Sequence, residues 1–410
     1  MAEATGAASV IANTERSDRQ TVVIKRKGMR QRGLRHPFWF FLPSFPVISY
    51  NRRMKILRRF LLISALLCVL FAICYVALYV KSSSAEREVE RAWAATFIDL
   101  QSLPSRFPQT DKNATAILME DMFKDGGKLG MRGTECLPPW KGEWKIMGME
   151  GRIPEDVRSY LEAHQSDLLM IYGRIREEAP QWEMDIEKLS ACPSPNFLRQ
   201  RAISQLFLLD AINKSQQGRS KEAAEAMEAA WIANSSLRRR PELITQVISM
   251  SIDRAIARVS PEIKGLPDEW QKRFTEPDYR ESIQTAFAHE AWVHLQMARV
   301  YSNMTGLAGS ALESRLGKLA TTMGRPYFRM CAVNSAEAIR QSLIEYRKQK
   351  EHPDNFDIET INKLMRDSLA DWNYQKNWNV ISSPGGLGKM ANEVMTELEE
   401  TAKAIGSRKK

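Results

Sequence analysis

A run of 21 residues from Phe60 to Val80, FLLISALLCVLFAICYVALYV, constrains this chain more than any other stretch; it has no charged side chain, and Arg59 and Lys81 border it. Wound as a helix at about 1.5 Å per residue it reaches roughly 31 Å, the depth of one bilayer hydrocarbon core. A cleaved secretory signal carries an apolar stretch of only about 7–15 residues. The length therefore favours an uncleaved signal anchor, although Ser83-Ser84-Ala85 has the small side chains of a cleavage site.

Charge is divided sharply by this segment. The chain has a net charge of +10, yet residues 1–60 hold 13 Lys/Arg against three acids, and the remaining 350 residues balance 46 basic against 46 acidic side chains. A basic excess confined to one side of a span is the positive-inside pattern, not a nucleic-acid footprint. It predicts a single-pass protein of the cytoplasmic (inner) membrane, with residues 1–59 inside and residues 81–410 extracytoplasmic. The lipid bilayer is one partner, through residues 60–80; a protein partner is expected, and nucleic acid is not. Residues 1–36 are poor in large apolar groups and expected to be disordered. In the following aromatic stretch Pro37, Pro43 and Pro46 forbid a regular spanning helix, and its rings suit a headgroup interface. Met54 opens MKILRRFLLISALL, which reads as a complete start with its own basic region, so Met1 and Met54 both stand as starts.

Beyond Lys81 the helix is expected to continue towards Pro104, with Val89, Ala92, Trp93, Thr96 and Phe97 near one face. Juxtamembrane helices fill residues 81–124. Residues 125–153 hold seven glycines and Pro138-Pro139 and read as an irregular insertion, with a short hairpin at residues 143–149. From Pro154 the apolar residues step by three and four, predicting helix after helix through a core domain at residues 154–375. The segment from Phe197 is apolar nearly all round and is expected at the centre. One helix is expected from Pro326, with Phe328, Ala332, Ser335, Ile339, Leu343 and Tyr346 inward. Residues 376–410 read as a Gly/Ser linker (382–388), a terminal amphipathic helix (390–405) and a basic tail. The fold class is all-α: one transmembrane helix and a multi-helix domain.

Candidate chemistry is sparse. His289-Glu290-Ala-Trp-Val-His294 is near a zinc-protease motif, but its histidines stand at i and i+5, about 140° apart on a helix, where the metal needs i and i+4. Glu290 and His294 do share a face, in line with Tyr279, Ile283, Phe287, Met297 and Tyr301, and are the candidate acid–base pair. The bland alternative is that they satisfy each other or Arg254 within the core. Gly385-Gly-Leu-Gly-Lys389 lacks the first glycine and final hydroxyl of a P-loop. Arg238-Arg239-Arg240 closes a helix at its negative end on a solvated face, with an anion site as the alternative. Cys136, Cys192 and Cys331 form no C-x-x-C pair; one disulfide among them, with one thiol left over, is open in any of three pairings. No metal site and no cofactor are expected. Trp140, Trp144, Met147 and Met149 in the insertion are candidate interaction anchors, or else pack over the core.

Gly218-x4-Ala223-x3-Met227-x2-Ala230 is similar to the turn and second helix of a tetratricopeptide-type hairpin, where small residues let two helices approach closely. The longer run LFLLDAINKSQQGRSKEAAEAMEAAWIANSSLRRRPELITQVISMSIDRAIARV resembles a group of uncharacterised bacterial proteins with one N-terminal span and an all-helical extracytoplasmic domain. The resemblance covers roughly residues 150–350 and implies a bacterial cell envelope; it implies no activity. The function expected is a membrane-anchored helical scaffold for protein or envelope interactions. The alternatives are a hydrolase using Glu290 and His294, and a single-span regulatory or signalling protein.

Overall fold

The computed structural model describes residues 50–130, 153, 155–301, 315–350, 357–371, 373 and 384–407. Among them the chain is helical, with a single isolated bridge between Thr110 and Met184 and no strand. It divides into two compact units, Met1–Ala65 and Leu66–Lys410, and the first is described only from the start of its helix at Tyr50.

Helix α1 (Tyr50–Thr96) is long because nothing between its ends breaks it: it contains no proline and no glycine. Its apolar portion is long and apolar enough to cross a membrane, and none of that stretch is buried against the protein. The second portion packs into the domain. Val89 and Trp93 are buried, and the Trp93 indole Nε1 donates to the Ala336 carbonyl at 3.1 Å. The helix stops at Thr96, well before Pro104, where Arg347 Nη1 donates to the Thr96 carbonyl at 2.9 Å, the arginine cap that a helix C-terminus favours. Asp99 then caps a 3-10 turn, Leu100–Ser102, which leads into the short α2 (Leu103–Arg106) and, capped by Asn113, α3 (Ala114–Phe123).

The predicted single helix from Pro154 is two, α4 (Glu155–Ala163) and α5 (Gln165–Glu177), separated at His164, whose φ of −106° and ψ of 14° are not helical. Helix α6 (Phe197–Gln216) is central, as its all-round apolar pattern predicts: Ala202, Ile203, Leu206 to Leu209, Ala211 and Ile212 are all buried. Phe207 meets Tyr172 and Phe123 edge-on, at centroid distances of 5.0 and 6.1 Å. Gly218, at φ +77°, turns the chain into α7 (Ser220–Arg238), whose Ala223, Ala226, Ala229 and Ala230 are buried and bring the α6–α7 pair close. Then come α8 (Leu243–Val259), α9 (Glu269–Thr275) and α10 (Tyr279–Tyr301).

Helix α11 (Arg315–Lys350) begins before the expected start and carries Pro326 in its interior. Ala332, Ser335, Ile339, Leu343 and Tyr346 are buried as expected, but Phe328 is not: its side chain lies on the surface, 38% exposed. The ring folds back over Gly324, where a Cβ would sit 2.9 Å from it, as a helical side chain leaning towards its own N-terminus does. After α12 (Ile358–Ser368), the terminal helix α13 (Pro384–Ser407) starts inside the expected Gly/Ser linker. The glycine there serves close packing: a Cβ on Gly385 would stand 2.8 Å from the Ile358 carbonyl, and its amide donates to Asn362 Oδ1 at 3.2 Å. Helix α13 lies on α8, where Glu397 accepts from both Arg254 and Arg258. Burial pushes the Glu397 carboxyl up, and the hydrogen bonds from Arg258 and Arg254 outweigh it, holding the group below the usual carboxylate range.

Trp93 fastens α1 to α11, so Trp93→Ala is expected to cost about 3–5 kcal/mol of domain stability, the usual range for emptying a buried tryptophan site. Denaturant unfolding of the detergent-solubilised protein measures it; a loss within experimental error would mean that α1 does not contribute to the core.

Candidate functional site

Helix α10 carries the predicted pair. Glu290 and His294 are half-buried on it and His289 is buried. Burial lowers the His294 imidazole to about 4, and Glu290 takes no part in that shift. Burial likewise raises the Glu290 carboxyl, with the negative charge of Glu242 adding to it. His289 is lowered to about 4, by burial first, with Glu242 raising it and Arg240 lowering it; its Nδ1 has no hydrogen-bond partner. Each of the three groups is shifted chiefly by its own burial, and none of them is shifted by another of the three. Arg254, the suggested core partner, is engaged by Glu397 instead.

The corner between α7 and α8 faces the same region. The Cys192 thiol lies 4.0 Å from Glu242 Oε1, and burial pushes it up, so it is not an activated nucleophile. Glu242 is held by Arg240, which also donates to the carbonyls of Glu183 (2.8 Å) and Pro193 (3.0 Å). Arg238 donates to both carboxylate oxygens of the fully buried Asp253, at 2.6 and 2.7 Å, and lies 4.0 Å over the Trp231 ring. Asn234 and Tyr279 complete that carboxylate's shell, each at 2.6 Å. The triple-arginine motif is therefore not a solvated helix end: two of its three guanidinium groups are committed to carboxylates, the buried Asp253 and the half-buried Glu242, and Arg239 alone is exposed. A further pair, the buried Lys214 and Asp210 at 2.7 Å, lies beside Tyr172. All three arrangements match each charge with an opposite one, as buried ions require.

A cluster that the sequence reading missed lies on α1. Glu86 and Glu90 are buried, Arg299 of α10 donates to both (to Glu90 at 2.6 Å), and Arg329 of α11 reaches Glu86 at 3.0 Å. Arg329 also donates to Ser83 Oγ at 2.5 Å and sits 5.0 Å over the Tyr79 ring. The signal was present in the spacing: Glu86 and Glu90 fall on the Val89–Trp93 face, where an acid needs a partner.

One recess, about 490 Å3, opens where α1 ends, lined by Phe97, Arg106, Asp278, Glu281, Gln284 and Arg347. Its charges balance, and Arg347 is held by Thr96, by Gln284 at 2.8 Å and by stacking on Phe97. Another, about 230 Å3, lies beside Trp182, Ser236, Arg239 and Arg240. No group of three or more His, Cys, Asp or Glu among the described residues is placed to hold a metal ion. Cys192 and Cys331 form no disulfide with each other. Trp140, Trp144, Met147, Met149 and Cys136 lie outside the described residues. No protein-family model, no curated protein and no solved structure matches this chain.

Two measurements follow from the titrating groups. Folded Glu290 holds its proton more tightly than it does in the unfolded chain, so its ionised form at neutral pH opposes folding. Glu290→Gln is expected to raise Tm at pH 7, with the gain vanishing by about pH 4, where the unfolded carboxyl is also protonated; a lower Tm at neutral pH would show an ionised, satisfied Glu290. His289 and His294 act in the opposite sense. Their stabilisation is complete above 6.5 and drains as pH falls towards about 4, because the unfolded chain takes up protons first. For buried His289 the whole effect is at most ~3 kcal/mol. His289→Gln should flatten this acid limb in a pH series of melting curves; an unchanged slope would refute it.

Proposed function

We propose that this protein is a membrane-anchored, extracytoplasmic helical scaffold, a fixed platform at the bilayer surface to which a protein or envelope partner docks. One observation carries the reading: a single unbroken helix supplies an apolar segment wholly exposed over a membrane's thickness and, two turns later, side chains fixed in the domain core. A soluble domain on a flexible tether needs no such joint. The basic residues before the span support an orientation with the N-terminus in the cytoplasm and the domain outside the inner membrane. The close α6–α7 pair, with its small-residue seam and Gly218 turn, supports a tetratricopeptide-like unit, an architecture that presents surface rather than chemistry.

Alkaline phosphatase fused after Lys410 should be active in a bacterial host, and a promiscuous biotin ligase at the same end should label a reproducible set of envelope proteins. An inactive phosphatase fusion would overturn the orientation. Labelling no different from that of an unrelated single-span protein would overturn the scaffold.

A further inference from the structure

Helix α11 runs parallel to α1, and the register of the two can be read from their contacts. Trp93 meets Ala336, Thr96 meets Arg340, and Ser83 and Glu86 meet Arg329. Helix α10 runs the other way, bringing Arg299 to Glu86 and Glu90. Counting back from the Trp93–Ala336 pair, Tyr327 and Phe328 stand level with residues 84–85 of α1, and Met323 with Val80, the last residue of the apolar run. At about 1.5 Å per residue Tyr327 is roughly 6 Å outside that run, which is headgroup depth.

At this level the surface of α11 is apolar. Met323 is 41%, Tyr327 43% and Phe328 38% exposed, three large apolar side chains within two turns, with the Tyr327 and Phe328 rings 5.6 Å apart. Phe328 belongs to the stripe that is buried everywhere further along the helix. Continued straight, α11 would carry its first turn some 12 Å into hydrocarbon. Pro326, which deprives the Thr322 carbonyl of its partner, is where the helix can bend along the surface instead.

We propose that the N-terminal part of α11 is a second membrane contact, in which Met323, Tyr327 and Phe328 enter the headgroup layer of the bilayer that α1 spans. Aromatic rings are among the side chains that settle at this depth. The inference rests on the anchoring role of α1, and the test separates the two.

The full-length protein, with p-benzoylphenylalanine replacing Leu67, Tyr327 or Lys348 in turn, is reconstituted in vesicles of phosphatidylcholine and phosphatidylglycerol and irradiated. Leu67 lies in the span and Lys348 is exposed at the far end of α11. Phospholipid adducts are expected at 67 and 327, each roughly tenfold above 348. Adducts at 67 with none at 327, or a crosslink from 327 to a second copy of the chain, would overturn the contact and leave the anchor standing. Equal labelling at 327 and 348 would overturn it as well. No lipid adduct at 67 would remove the anchor and this contact with it.

Discussion

The domain depends on one joint, the ion cluster that fastens the emerging part of α1 to α10 and α11. Glu86 and Glu90 would be costly to bury alone, and Arg299 and Arg329 make their burial tolerable by arriving from two different helices. Breaking such a cluster from one side leaves an uncompensated charge, which costs more than the pair contributes when intact. Geometry follows from that asymmetry: α1, α10 and α11 can be assembled in only one register without stranding a carboxylate. Trp93, three residues further on, closes the same seam with apolar surface and one hydrogen bond.

The same device recurs deeper in the domain. Asp253 is reached by Arg238, Asn234 and Tyr279 from α7 and α10, and Glu397 of α13 by two arginines of α8. Apolar helix faces rich in alanine slide past one another at little cost, whereas a buried carboxylate with two or three fixed donors does not. These networks specify which helix lies against which, and they leave few ionisable groups in an activated state. The shifts at His289, Glu290 and His294 have another origin, since burial is the largest cause of each.

Periodicity made the architecture legible. The all-round apolar pattern of α6 put it at the centre, and the stripe from Ala332 to Tyr346 gave the inner face of α11. Local rules failed where tertiary contacts overrode them. Gly385 and Pro384 read as a linker, but the glycine lets α13 approach α12 and the proline tolerates a helix's first turn. His164 interrupts a stripe whose spacing continues across it, so the break between α4 and α5 left no trace in the pattern. The arginine triplet was misread for a related reason: its partners, Asp253 and Glu242, lie on the next helix or its cap, and composition cannot distinguish a solvated guanidinium from a buried one.

A single span fixes how far a domain stands from the bilayer but leaves it free to turn about the span's axis. A joint without flexible residues, such as that around Glu86 and Trp93, transmits the tilt of the helix to the domain and still does not choose which face looks along the membrane. A second contact, displaced sideways from the first by one helix diameter, removes that freedom. The exposed end of α11 is such a contact, and its position follows from the parallel register with α1 and not from any separate anchor. Both readings of the molecule then have one cause: the carboxylates that lock α1 against α11 also bring Met323, Tyr327 and Phe328 to headgroup depth, where surface that would be a liability in water becomes part of the attachment.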